Sequence, residues 1–284
     1  MTAVGVVNLN GIVMQGFGPA VPGFYFINLT DWYSLPEAKT EVRERPLADG
    51  AFGFSGDYRQ AAVISIDGIY LAEDRFDLQQ ARGQLMQAAR GAQVPLTFTD
   101  EEGPTTRLVS VRSMPMADDH GQLQFRFSID VLSMDPNRYG PVISVTTGLA
   151  SGGGTGWPWP AKWPADWGSG STSDGRATVT NSGTAATWPL LRVTGGLSLG
   201  AELVEIVTGN VLRLDRAIPT GSTAYFTART GRVYLDDTTS DITGFLTRRE
   251  WWSVPPGETR TVQINPLGTI TGTPTLTVSI SPAY

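Results

Sequence analysis

Residues 122–131 alternate strictly between polar and apolar side chains, and Leu132 ends the predicted strand. The apolar set consists of Leu123, Phe125, Phe127, Ile129 and Val131. The polar set consists of Gln122, Gln124, Arg126, Ser128 and Asp130. Because successive side chains of a β-strand point to opposite faces of the sheet, this pattern predicts a strand with one face in a core. The other face is predicted to lie in water or at an interface.

Turn-forming residues are frequent along the whole chain, which has 33 glycines and 19 prolines without a Gly-X-Y repeat. Hydrophobic residues make up 40% of the chain and charged residues 17%, which is typical of a folded protein rather than a disordered one. These features predict many short strands joined by tight turns, and therefore a mainly β fold.

The length of 284 residues suits two domains. Residues 1–140 are predicted to form a β-rich domain with one helix near residues 74–90. In that helix Leu78, Ala81 and Leu85 recur at helical spacing, and Gly91 stands where a C-terminal cap belongs. Residues 176–284 show strand after strand with no helical stripe, which predicts an antiparallel β-sandwich.

A segment rich in glycine, tryptophan and proline, residues 141–175, is predicted to connect the two domains. Its prolines exclude a regular helix or a central strand. It also contains Trp157, Trp159, Trp163 and Trp167, and four indoles are costly to leave bare in a solvated linker. We therefore expect these four side chains to be sheltered.

Composition excludes several classes of function. The net charge is −6 and no basic run offers a track for phosphates, so nucleic-acid binding is not expected. Cysteine is absent, so disulfides and thiolate zinc sites are excluded. The sequence shows neither a long apolar run nor a basic and then apolar leader, so we expect synthesis in the cytoplasm and no membrane insertion.

Two segments contain residue types that are common in active sites, but the surrounding sequence does not fit the corresponding motifs. The only histidine, His120, lies in the polar turn Asp118–Gly121, where successive residues cannot easily face one metal ion. Ser198 lies in Gly196–Gly200, which has the letters of a nucleophile elbow. That elbow needs a following helix and a later histidine, and the sequence indicates neither.

Three carboxylates, Asp236, Asp237 and Asp241, could meet a calcium ion in one loop, although EF-hand spacing is absent. We predict no catalytic, cofactor-binding or metal-ligating residues, no cofactor, and no enzymatic activity.

The order of the short motifs resembles a known family. They are Asp135-Pro136-Asn137-Arg138-Tyr139, Asn181-Ser182-Gly183, Trp188-Pro189-Leu190-Leu191-Arg192-Val193-Thr194-Gly195 and Arg249-Glu250-Trp251-Trp252-Ser253-Val254-Pro255-Pro256-Gly257. Across essentially the whole chain, the sequence resembles the distal tail proteins, or minor tail proteins, of siphophages, particularly those that infect actinobacteria. Glu258-Thr259 departs from the family, in which an asparagine often follows the glycine.

The resemblance implies a virion structural protein at the distal end of the tail. It implies a homohexameric ring between the tail tube protein and the tail-tip hub protein, with the tape measure protein as a further possible partner and DNA passing through the lumen without specific binding. The N-terminal domain would form the ring and carry a protruding hairpin, for which residues 43–58 are the candidate. The C-terminal sandwich would be galectin-like or jelly-roll-like. The candidate ring-interface residues are Arg43, Arg45, Phe52, Phe54, Tyr58, Gln124 and Arg126.

The pair Trp251 and Trp252 leaves two interpretations open. The pair either belongs to the core or edge of the sandwich, or faces a partner or a glycan, because an indole offers a large rigid contact surface. The second interpretation supports a rival function, a carbohydrate-binding module that recognises host cell-wall glycan. A hydrolase that uses Ser198 is a third hypothesis.

Overall fold

The computed structural model describes residues 5–16, 21–39, 44–47, 49, 58–118, 123–150 and 173–284. The chain divides into two compact units, Met1–Gly140 and Pro141–Tyr284. Both are mainly β, as predicted.

The N-terminal unit is a closed barrel. Its elements are β1 Val6–Leu9, β2 Ile12–Gly16, β3 Gly23–Thr30, β4 Ala62–Leu71, α1 Arg75–Ala88, β5 Val94–Asp100, β6 Gly103–Ser113, β7 Met116–Asp118 and β8 Gln124–Ser133. The strand order is β4-β3-β2-β1-β5-β6-β8, and pairing of β8 with β4 closes the seven strands into a barrel. Strand β7 pairs with β8 beyond the end of the β6–β8 ladder. All pairings are antiparallel except β2 with β3.

The alternating segment forms β8 as predicted. Phe125, Ile129 and Val131 are fully buried in the barrel, and Phe127 is 3% exposed. Leu123, which was assigned to the same face, is 42% exposed, so the burial expected of this face does not extend to it. The strand begins at Gln124, and the Leu123 carbonyl accepts a hydrogen bond from Ala72 N at 2.8 Å, just beyond the pair of Leu71 with Gln124.

The predicted helix is confirmed as α1. It begins after Asp74, whose side chain accepts a hydrogen bond from Asp77 N at 2.7 Å. It ends one turn before Gly91, with Ala89 in the capping position. Ala81, Leu85 and Ala88 are buried, so the predicted apolar stripe covers the barrel core.

A tyrosine joins the helix to the barrel. The Tyr70 hydroxyl donates to the carboxylate of Asp77 at 2.9 Å, and its ring stacks on Phe125 with 5.5 Å between the centroids. Burial of the ring and the bond to Asp77 raise the pKa of Tyr70 from 10.0 to about 12.

This shift predicts alkaline destabilisation of the N-terminal unit. In the unfolded chain Tyr70 loses its proton near pH 10, whereas the folded chain keeps it to about pH 12. The stabilisation is therefore complete below pH 10 and is lost as the pH rises through the folded pKa. A difference titration of tyrosinate absorbance between the native protein and Tyr70→Phe should show a group with a pKa of about 12. A difference that titrates near pH 10 would contradict the prediction.

The C-terminal unit is a sandwich of two five-stranded antiparallel sheets. The first sheet has the order β10-β17-β12-β13-β16 and the second β15-β14-β11-β18-β9. The strands are β9 Ile143–Gly148, β10 Arg176–Thr180, β11 Leu190–Thr194, β12 Gly200–Glu205, β13 Val211–Leu214, β14 Thr223–Thr227, β15 Arg232–Leu235, β16 Leu246–Arg249, β17 Thr259–Leu267 and β18 Thr275–Ile280. A short 3₁₀ helix, Thr243–Phe245, precedes β16.

The two sheets enclose one apolar core. Leu203 and Val262 of the first sheet and Phe226 and Val278 of the second are all fully buried in it. This arrangement agrees with the predicted sandwich.

The predicted connector begins too early. Strand β9 pairs along its whole length with β18, with Val145 opposite Val278, and therefore belongs to the second sheet of the sandwich. The turn-rich motif at residues 135–139 indicated the end of a domain, and the next strand follows it almost at once. The four tryptophans expected to be sheltered, Trp157, Trp159, Trp163 and Trp167, lie outside the described residues.

Candidate assembly and ligand surfaces

The chain segments that flank residues 43–58, the candidate hairpin, pair with each other in the N-terminal unit. Lys39 N donates to Tyr58 O at 2.7 Å and Gln60 N donates to Glu37 O at 2.8 Å, so the two chain segments pair in antiparallel fashion. Among the candidate interface residues, Tyr58 is 70% exposed and Arg45 is also exposed. Arg43, Phe52 and Phe54 lie outside the described residues.

The polar face of β8 is only partly available to a partner. Asp130 accepts hydrogen bonds from Ser65 and Ser113 at 2.7 Å each, and these bonds lower the pKa of its carboxyl. Ser128 donates to Asp67 at 2.7 Å. Arg126 is exposed and Gln124 is half-buried, so of the two residues predicted from this strand Arg126 is the more accessible.

A cleft of about 470 Å³ opens beside the end of β5, lined by Tyr33, Asp100, Glu101, Glu102 and Arg138. The Tyr33 hydroxyl donates to Asp100, and the Arg138 guanidinium lies 4.4 Å from the centre of the Tyr33 ring. Burial and Asp100 raise the pKa of Tyr33 to about 12, while the bond from Tyr33 lowers the pKa of Asp100. At neutral pH the phenol therefore stays protonated and the carboxyl ionised, which suits neither group for proton transfer.

The burial of Trp251 and Trp252 agrees with the interpretation that the pair belongs to the core or edge of the sandwich. Trp252 is 5% exposed within the core, so its assignment to a glycan-facing or partner-facing platform was wrong. Trp251 is half-buried and packs against the same core. The indole rings contribute large apolar surfaces to the core of the sandwich.

The side chains considered for chemistry in this unit hold turns together. Ser198 Oγ accepts a hydrogen bond from Thr269 N at 2.8 Å. Asp237 accepts from Thr239 N and Ser240 N at 2.8 and 3.0 Å, and Asp241 forms an ion pair with Arg232 at 3.1 Å.

No group of three or more potential metal ligands comes together anywhere in the described part of the chain. His120 lies outside that part.

Sequence reasoning missed a polar row across the outer face of the second sheet. The register places Thr146, Thr277, Arg192, Tyr225 and Tyr234 side by side on five neighbouring strands. Arg192 Nε is buried and has no hydrogen-bond partner within the described residues. Alternation in 190–194 and 223–227 was visible in the sequence, but only the pairing of strands brings these side chains into one row.

None of the described residues forms a helix long and apolar enough to cross a bilayer. No family model and no curated protein matches the sequence. Solved structures do match, and each likeness extends over nearly the whole chain.

The chain is similar to the Dit protein (gp 19.1) of phage SPP1, described as a paradigm of the hub adsorption apparatus in phages that infect Gram-positive bacteria. The TM-score is 0.64 at 17% identity, over 99% of this chain and 100% of that one. Two structures of the activated phage P2 baseplate, with calcium and with strontium, match at TM-scores of 0.54 and 0.52. Each has 10% identity and covers 98% of both chains.

Proposed function

We propose that this chain is a non-catalytic structural protein of a siphophage tail tip. In this proposal six copies form a ring that joins the tail tube to the tail-tip hub. The observation that carries the proposal is the similarity to the SPP1 hub protein, which extends over 99% of this chain. The actinobacteriophage origin stays a prediction from the sequence motifs.

The closed barrel supports a particular mode of assembly. Each of its seven strands is paired on both sides, so the barrel offers few free strand edges to which another chain could add. Contacts between copies therefore have to use side-chain surfaces or segments outside the barrel wall. The net charge of −6 suits a ring through whose lumen DNA slides without specific binding. The tube protein, the hub protein and the tape measure protein are the proposed partners, and the distal end of the virion tail is the proposed location.

The oligomeric state and the location test this proposal. Light scattering on the purified full-length protein should give a mass near six times 30.5 kDa, and negative-stain micrographs should show rings. Antibodies against the chain should label the distal end of virion tails. A monomer at high concentration together with unlabelled tails would contradict it.

A second candidate function is recognition of an acidic glycan by the outer face of the second sheet. Arg192 supplies a positive charge in the middle strand of this sheet, and Tyr225 is its partner on the neighbouring strand. A guanidinium pairs well with a carboxylate or a phosphate, and a phenol ring adds a flat amphipathic contact surface.

A glycan array probed with the full-length protein tests the second candidate. Arg192→Ala and Tyr225→Ala should each weaken binding about tenfold or more. Arg176→Ala is the matched control because Arg176 lies on the other sheet and bonds to Gln263 at 3.1 Å. Binding that survives both test variants, or no binding to any glycan, would remove this candidate.

A further inference from the structure

A charged side chain is buried in the N-terminal unit. Arg107 of β6 is 3% exposed. Burial, together with the charge of Arg138, lowers the pKa of Arg107 to about 10, so its guanidinium stays charged at neutral pH. A buried charge carries a desolvation cost, and an apolar side chain of similar volume often stabilises such a position as well or better. Packing alone therefore does not account for an arginine at this position.

The guanidinium of Arg107 bonds to two segments that are far apart in the sequence. Its Nη1 donates to Pro136 O at 2.7 Å, in the segment that follows β8. Its Nη2 donates to Trp32 O at 3.1 Å, in the loop that follows β3. The same group lies 5.5 Å from the centre of the Trp32 ring. A planar guanidinium with several fixed donors can hold two acceptors at once, which an ammonium or an apolar group cannot do in this way.

The loop at Trp32 is itself fixed to the barrel wall. The Trp32 indole donates to Thr105 Oγ1 of β6 at 3.2 Å. The rings of Trp32 and Tyr33 both pack edge-on against Phe98 of β5, with 6.1 and 6.2 Å between the centroids. Arg138 of the second segment lies over Tyr33, so the two segments meet a second time. The loop thus forms a firm base to which the second segment is tied.

Each of the two segments leads to a part of the chain with a proposed role in assembly. The loop runs into the strand pair at Lys39 and Tyr58, which flanks the candidate hairpin. The second segment pairs with β6, because Tyr139 N donates to Thr106 O at 2.9 Å, and it then reaches Gly140, the last residue of the N-terminal unit. Arg107 therefore lies between the root of the hairpin and the segment by which the chain leaves this unit.

We propose that Arg107 is a positioning residue that couples the root of the candidate hairpin to the segment at residues 135–140. A displacement of the loop is passed through Trp32 O and the guanidinium to Pro136, and a displacement of the segment is passed back by the same bonds. The biological use of this coupling rests on the proposed function: a partner that engages the hairpin in the tail tip alters the order of the segment that leads into the second unit. An apolar side chain at position 107 would let the two segments move independently.

A change in one segment, observed from the other, tests the coupling. Tyr139→Phe perturbs the second segment, because it removes the hydroxyl that donates to Asp135 at 2.7 Å. In protein labelled with fluorotryptophan, the fluorine signal of Trp32 is identified by its loss in Trp32→Phe. Tyr139→Phe should move this signal when Arg107 is present, and by no more than about half as much in an Arg107→Met background. Equal shifts in the two backgrounds, or no shift in either, would overturn the inference.

Hydrogen exchange separates coupling from simple stabilisation. Methionine fills the space of the arginine stem without the charge, so Arg107→Met should fold. It should speed exchange of the Tyr139 amide about tenfold or more, because the charged hydrogen bond to Pro136 is lost. Amides of β8 in its ladder with β4 report opening of the whole barrel and should change by less than about threefold. Arg112→Met is the matched control, since Arg112 is exposed on the same strand.

The outcomes distinguish this inference from the proposed function. If Arg107→Met speeds exchange in β8 as much as at Tyr139, the arginine only stabilises the barrel and the inference is wrong. Both measurements use the full-length chain and do not depend on ring formation. Failure of the coupling therefore leaves the proposed function standing, whereas a wild-type monomer in which the coupling is present would contradict the ring and leave the role of Arg107 intact.

Discussion

Gly196→Ala is expected to lower the free energy of unfolding of the C-terminal unit by about 4 kcal/mol or more, or to prevent this unit from folding. Gly196 has φ +108°, which L side chains rarely adopt. An added Cβ would lie 1.8 Å from the carbonyl oxygen of Thr271. That backbone cannot move away cheaply, because Thr271 N donates to Gly196 O at 2.7 Å.

A substitution at a second glycine distinguishes the effect of the positive φ from the effect of the steric clash on the free energy of unfolding. Gly209 also has a positive φ, +77°, but a Cβ there meets nothing within 4 Å. Gly209→Ala should therefore cost only about 1 kcal/mol, the conformational part of the effect. Hydrogen-exchange mass spectrometry of peptides from residues 176–284 measures both variants. Equal losses of protection in the two would contradict the steric explanation.

Asn181→Ala is expected to lower the free energy of unfolding of the same unit by about 3 kcal/mol. Asn181 is fully buried, and its side chain bonds to two stretches of backbone, residues 183–185 and 254–255. Its Nδ2 donates to Ala185 O at 2.8 Å and to Val254 O at 3.0 Å, and its Oδ1 accepts from Gly183 N at 3.0 Å. Alanine would remove every one of these bonds and leave the buried Gly183 N without its acceptor, whereas Val254 O keeps the bond from Thr187 N.

The neighbouring Ser182 supplies the control for this prediction. It belongs to the same Asn-Ser-Gly motif but is exposed, so Ser182→Ala should change stability by less than about 0.5 kcal/mol. Urea denaturation combined with hydrogen exchange at residues 181–187 and 254–257 measures both effects. If Asn181→Ala behaves like Ser182→Ala, the asparagine does not hold these segments together.

These two residues show what the recognised motifs do physically. The resemblance to tail proteins was based partly on Asn181-Ser182-Gly183, and Gly196 begins the segment that has the letters of a nucleophile elbow. In the structure Asn181 forms side-chain hydrogen bonds to backbone groups, and Gly196 leaves room for the carbonyl oxygen of Thr271. A sequence motif alone does not distinguish such packing roles from catalytic ones. The distinction depends on which backbone segment, far away in the sequence, packs against the motif in the fold.

Local patterns predicted the elements that depend on local geometry. The helix followed from the apolar spacing before Gly91, and β8 followed from alternation, because periods of 3.6 and 2 residues fix which side chains share a face. Alternation did not predict the exposure of Leu123, which lies just before the first residue of β8. Strand β9 was missed because the strand it pairs with, β18, lies more than a hundred residues later in the chain.

The sequence by itself determined that this chain is mainly β, where its helix lies, and that it contains no cysteine with which to form a disulfide. Only the tertiary structure decided that the N-terminal strands close into a barrel, that Trp252 lies in a core, and that Arg192 stands in a row with Tyr225. Only the structure also showed that Arg107 bonds to two segments far apart in the sequence. The physical reason is the range of the interactions: periodicity acts over a few residues, whereas closure, burial and surface composition depend on pairing between segments far apart in the chain.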